Sequence, residues 1–259
     1  MKNLTEVVFI LDRSGSMSGM EDDTIGGFNS MIDKQNKAEG EALVSTILFD
    51  HDTEVIHDRV PLKEIKKMTE RDYWTRGSTA LLDAIGKSIN HIKNIHKYAR
   101  EEDRPDRTLF CITTDGMENS SVIYSYQEIK KMVEAQKELG WEFLFLGANI
   151  DAIETAGHLG ISRNRAANFH QDHAGISQSY NAFGDAMCCF MADGIIADNW
   201  KSDVEEDFKQ RGGNPFSKGN SKGKNKSKPQ NLPDLNVDEI FKDFFGDTLK
   251  SDQLDKPEK

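Results

Sequence analysis

With 259 residues, 37% of them apolar and 30% charged, the chain has room for one large domain or two small ones, and its composition is that of a soluble protein with an ordinary core. No apolar run approaches the length of a membrane span, and Met1-Lys2-Asn3-Leu4 leads into a predicted strand without a signal-peptide pattern, so a cytoplasmic protein without membrane contact is expected. The whole net charge of −11 falls in the first 200 residues, which makes nucleic acid an unfavourable partner for that part.

The apolar run Val7-Val8-Phe9-Ile10-Leu11 predicts a buried strand over 4–11. Ile25, Phe28, Met31 and Ile32 repeat at helical spacing over 24–39. Residues 42–49 and 53–60 read as two strands of a hairpin around Asp50-His51-Asp52, with His51 and Asp52 in a solvated turn. Leu81, Ile85, Ile89, Ile92 and Ile95 predict a long helix over 79–99, and a strand follows over 107–113. Ser125 and Glu128 form a capping box, and Tyr124 with Ile129 a hydrophobic staple, for a helix that stops at Gly140. A strand over 141–146, short helix over 151–159, short strand over 167–170 and helix over 176–191 complete the pattern. Cys111 lies inside an apolar strand, while Cys188 and Cys189 adjoin on a helix and read as core packing, which disfavours a disulfide framework.

Alternation of strand and helix with one hairpin predicts an α/β fold: a doubly wound, mostly parallel sheet with one antiparallel edge strand and helices on both faces. This domain is expected over 1–193. Residues 194–232 are expected to form an extension and a basic flexible linker, since 209–230 contain seven Lys/Arg and no acidic residue. An amphipathic helix over 233–252 follows, before a disordered tail over 253–259. Its apolar face includes Phe241, Phe244 and Phe245, which makes it a candidate partner-binding surface.

Function concentrates where strands end. Asp12-Arg13-Ser14-Gly15-Ser16 follows the first strand directly and presents one carboxylate and two hydroxyls within five residues. Gly77-Ser78-Thr79 and Thr113-Thr114-Asp115-Gly116 supply more oxygen donors, at positions that the predicted sheet brings to the same edge. Hard divalent cations favour such ligands. Catalytic alternatives fit less well. A Mg²⁺-dependent phosphohydrolase of the haloacid-dehalogenase type needs a carboxylate where Ser14 stands. An α/β-hydrolase elbow between Gly15 and Gly19 has Met17 in the nucleophile's place, and no phosphate-binding glycine loop follows a strand. His170 and His173 flank Asp172 but lack a third zinc ligand.

The pattern Asp12-x-Ser14-x-Ser16, Thr79, Asp115 resembles the metal-ion-dependent adhesion site (MIDAS) of the von Willebrand factor type A (VWA) domain at all five positions. The resemblance covers roughly residues 1–193; Glu118-Asn119 and Gly147-Ala148-Asn149-Ile150-Asp151 also look like a small, stand-alone bacterial branch. It implies that Ser14 and Ser16 coordinate Mg²⁺ (or Mn²⁺), that Thr79 does so directly or through water, and that Asp12 and Asp115 act through water and by orienting the hydroxyls. It implies further a non-catalytic role, in which the metal captures an Asp or Glu side chain of a partner protein. Since members of the family often work beside AAA+ ATPases, such an ATPase or an assembly complex is the expected type of partner.

Overall fold

The computed structural model describes residues 4–38 and 40–213. Six strands form one sheet in the order β3-β2-β1-β4-β5-β6. They are β1 (Leu4–Asp12), β2 (Glu41–Phe49), β3 (Thr53–Pro61), β4 (Arg107–Thr114), β5 (Trp141–Gly147) and β6 (Ala166–Asn168). All neighbours are parallel except β3, which returns antiparallel to β2 through the predicted hairpin.

Six helices cover the sheet: α1 (Glu21–Gln35), α2 (Leu81–Tyr98), α3 (Tyr126–Lys137), α4 (Ala152–His158), α5 (His173–Asp193) and α6 (Ser202–Gln210). The two-residue period of β1 divides its side chains between two cores. Val7, Phe9 and Leu11 pack with Phe28 of α1 and Phe183 of α5, whereas Val8 and Ile10 pack with Leu81, Ile85 and Ile89 of α2. Burial on both faces explains why β1 reads as an unbroken apolar run. The α/β architecture expected from the sequence is therefore the one observed, including the antiparallel edge.

Local signals also place the helices. Ser125 and Glu128 close the predicted capping box at the start of α3. Asp151 accepts from the amides of Ile153 and Glu154 to open α4, and Asp172 does the same for Gly175 in α5.

The described chain packs on past residue 193, the boundary expected for this domain. Trp200 is buried, stacks parallel to Phe183, and donates its indole N–H to the Asn164 carbonyl at 2.9 Å. Lys201 Nζ reaches the carbonyls of Arg163 and Ala166 at 2.9 and 2.7 Å, and Val204 anchors α6. α6 escapes a periodicity reading because a largely charged segment buries a single aliphatic residue. Cys189 needs a second correction: it is exposed and Cys188 half-buried, so of the three thiols only Cys111 belongs to the core. The expected tail helix with Phe241, Phe244 and Phe245 lies outside the described residues. Among the described residues, no helix is long and apolar enough to cross a membrane.

Candidate metal site

β1 and β4 run parallel with Leu11 opposite Thr113, so Asp12 and Asp115 leave the sheet at the same edge. Asp12 Oδ1 accepts the Ser14 amide at 2.7 Å, an Asx-type turn that folds the loop back on the strand end. Asp12 Oδ2 accepts the Thr114 hydroxyl at 2.5 Å and so ties β1 to β4. Ser14 Oγ and Ser16 Oγ lie 3.0 Å apart, and Ser16 Oγ donates to Asp115 Oδ1 at 2.6 Å. Thr79 arrives from the loop before α2, its amide donating to Asn119 Oδ1 at 2.9 Å. A Cβ on Gly116 would stand 3.4 Å from both Ser16 Oγ and Thr79 Oγ1, so these hydroxyls face one spot that carries no side chain. Asp12, Ser14, Ser16, Thr79 and Asp115 are thus gathered from three separate loops.

The electrostatics of this cluster are one-sided. Burial pushes the carboxyl of Asp115 up to about 6, with the nearby Asp12 charge adding to the shift against the Ser16 hydrogen bond. Burial likewise raises Asp12, against hydrogen bonds from Ser14 and Thr114. Neither carboxylate has an ion-pair partner among the described residues. Two buried acids with hydroxyls turned toward them, and no cation from the described residues, form a donor set that fits a hard divalent ion.

The neighbouring residue behaves differently. Arg13 points away from the site, fully buried, with Nε on Asp50 Oδ2 at 2.8 Å and Nη1 on Glu54 Oε2 at 2.6 Å. Arg76 Nε also reaches Asp50 Oδ2 at 2.8 Å, and the guanidinium groups of Arg13 and Arg76 both approach the Trp74 ring. Burial works to raise Asp50, but hydrogen bonds from Arg76, the Asp52 amide and Arg13 outweigh it and hold its carboxyl below the ordinary value. Asp50 is therefore a buried ion-pair centre inside what reads as a turn, while His51 and Asp52 are exposed as expected. Backbone bonds from Arg13 to Phe49, Arg76 to Arg13 and Gly15 to Gly77 fix the motif loop against its neighbours, and Tyr73 Oη donates to the Asp12 carbonyl at 2.6 Å.

Several contributors escape a motif search. Asn119 and Thr114 stand in stretches the sequence singles out, but their contacts to Thr79 and Asp12 come from the bonds above. Gln171, in the loop between β6 and α5, donates from Nε2 to Asp115 Oδ2 at 2.5 Å and to the Ser16 carbonyl at 2.6 Å. No local pattern marks a lone Gln in a polar loop. The histidines beside it do other work: His170 bonds the Phe208 carbonyl and His173 pairs with Asp23. Among the described residues, no group of three His, Cys, Asp or Glu side chains is placed to hold a metal.

The loop after Asp115 forms the rim. Its Met117, Val122 and Ile123 side chains are 72%, 90% and 54% exposed. Yet much of its backbone is tied: the buried Asp83 carboxylate of α2 accepts the amides of Val122, Ile123 and Tyr124 at 3.0–3.1 Å, and Glu118 accepts those of Ser120 and Ser121 together with that of Leu82 in α2.

No protein-family model matches the chain, and no curated protein matches it. Solved structures do. The vWF domain of the type V pili tip protein Mfa5 from Porphyromonas gingivalis aligns over 76% of this chain and 99% of that one, with a TM-score of 0.54 at 11% identity. The chain has the VWA fold. The pilus adhesin SpaC from Lactobacillus rhamnosus GG, in its open conformation, gives a TM-score of 0.54 at 10% identity over 73% of this chain and 30% of SpaC. Proximal thread matrix protein 1 from the mussel byssus, in a structure whose MIDAS motif holds zinc, covers 71% of this chain at 13% identity and a TM-score of 0.47. The chain spans about half the length of that mussel protein. At these identities the likeness is one of fold.

Proposed function

We propose that this VWA domain is a divalent-metal-dependent protein-binding module that captures an acidic side chain of a partner. The observation that carries the reading is the convergence of Ser14, Ser16 and Thr79 hydroxyls beside two buried carboxylates that have no counter-cation among the described residues. Ser14, Ser16 and Thr79 would hold Mg²⁺ or Mn²⁺ through neutral oxygens. Asp115 accepts the Ser16 hydroxyl proton and so leaves that oxygen's lone pairs free, and Asp12 orders the loop through the Ser14 amide. When bound, the cation would supply a positive charge that neutral ligands compensate poorly, and so attract an anionic oxygen from outside. No bond is broken, and the role is not enzymatic.

The rim supports a protein partner: Val122 and Ile123 stand exposed on a backbone already held in place by Asp83, as preformed binding surfaces do, and Met117 is exposed beside them in the same loop. A cytoplasmic location, and an AAA+ ATPase or assembly complex as the partner, belong to the same proposal. The test is calorimetric titration of Mg²⁺ and Mn²⁺ into wild type, Asp12→Ala and Ser14→Ala, with pull-downs in the presence and absence of chelator. Metal binding lost in both folded variants, together with a chelator-sensitive partner, supports the reading. Equal metal affinity in all three proteins overturns it.

A further inference from the structure

Gln171 touches the site from outside the five-residue motif, and its chemistry can be assigned. Both groups facing one end of its amide, the Ser16 carbonyl and the Asp115 carboxylate, only accept hydrogen bonds. That end must therefore be the NH₂, whose two hydrogens match the two acceptors. The other end, Oε1, accepts from Asn149 Nδ2 at 2.5 Å. Asn149 sits between β5 and α4 with φ +54°, a left-handed conformation that asparagine tolerates better than most residues. A relay of hydrogen bonds thus runs from Asn149 through Gln171 and Asp115 to the Ser16 hydroxyl, and joins four loops at one sheet edge.

Asp115 needs such support. Its Oδ1 must stay turned toward Ser16 while the like charge of Asp12 lies nearby. Gln171 holds the opposite oxygen, Oδ2, and pins the Ser16 backbone with its second hydrogen. A glutamate of the same shape would have no hydrogen to give to either acceptor.

We propose that Gln171, braced by Asn149, is a positioning residue of the metal site, which orients Asp115 and Ser16 for cation binding without contacting the cation. The proposal rests on the metal-binding reading above. Outer partners of this kind govern metal affinity by roughly 10- to 100-fold.

The experiment measures Mn²⁺ affinity by calorimetry on the full chain for wild type, Gln171→Met, Asn149→Ala, His170→Ala and Ser14→Ala, with thermal melts of each metal-free protein. Gln171→Met keeps the length and removes both donors. Its Mn²⁺ affinity is expected to fall about 10-fold with the metal-free melting temperature unchanged. Asn149→Ala should show a smaller loss in the same direction. His170→Ala disturbs the same loop at Phe208 and should keep wild-type affinity. The EPR spectrum of bound Mn²⁺ should change in Gln171→Met and stay unchanged in His170→Ala. Wild-type or tighter affinity in Gln171→Met overturns the proposal, as does an equal loss in His170→Ala. In either case the functional reading stands if Ser14→Ala has lost the metal. A wild type that takes up no Mn²⁺ ends both. If Gln171→Met does not fold, wild-type affinity in Asn149→Ala is the overturning result.

Discussion

Two buried polar clusters lie side by side at one edge of the sheet, and their charge balance sets them apart. In the first, Arg13 and Arg76 face Asp50 and Glu54, so two cations meet two carboxylates. In the second, Asp12 and Asp115 meet, among the described residues, only hydroxyls and amides. Adjacent residues of one loop, Asp12 and Arg13, feed the two. A self-compensated cluster holds a fold together; a buried cluster of one sign calls for a counter-charge from outside. The contrast is the physical reason for proposing a ligand in the second and none in the first.

The largest effect expected from breaking this contrast is on stability. Arg13→Met leaves Asp50 buried with the half-exposed Arg76 as its remaining arginine partner beside His51, and should cost about 3–5 kcal/mol in denaturant unfolding. A loss below about 1 kcal/mol would show that the first cluster is not structural. Asp115→Asn should act in the opposite direction. It removes a carboxylate whose pKa is raised from 3.8 to about 6, and should stabilise the metal-free protein at pH 7.5 by about 1–3 kcal/mol while weakening Mn²⁺ binding. Chemical unfolding with and without Mn²⁺ reads both consequences.

Acidity sharpens the comparison further, because the clusters respond with opposite signs. Asp115 binds its proton more tightly folded than unfolded. The stability gained from its protonation is lost as pH rises through about 6 and fully present below 3.8, so metal-free protein should gain stability as pH falls from 7 toward 4. Asp50 is held below its ordinary value of 3.8, so its contribution is present above that value and is lost as pH falls through the lower, folded-state one. Melting curves across pH should show a maximum in mild acid that Asp115→Asn lowers, Asp12 being raised in the same direction. Mn²⁺ affinity should fall below pH 6 as protons compete for Asp115. The smallest effect is expected from Arg76→Ala, which leaves the buried Arg13–Asp50 pair intact and should lower the melting temperature less than Arg13→Met does.

The fold was legible because its evidence is local and repeated. β1 is buried on both faces and so apolar throughout, α2 keeps a regular apolar stripe, and Ser125 with Glu128 announces α3. That the five candidate residues come together was legible because Asp12, Ser14 and Ser16 stand within one turn of a strand end, and the strand order then brings Asp115 beside them. Gln171 and Asn149 were not, since their importance comes from where β5 and β6 deliver them. Asp50 looks like any turn aspartate until Arg13 is seen turned inward. α6 was missed because Trp200 and Val204 dock it with too few apolar residues to mark a period.

Asp83 has a kinetic consequence. Its carboxylate gathers three successive amides and keeps the Val122–Ile123 rim in shape before anything docks. On the proposed function, a partner meeting such a surface has little loop freedom to quench, so its arrival should be limited by diffusion and orientation, and differences among partners should appear in how long each stays.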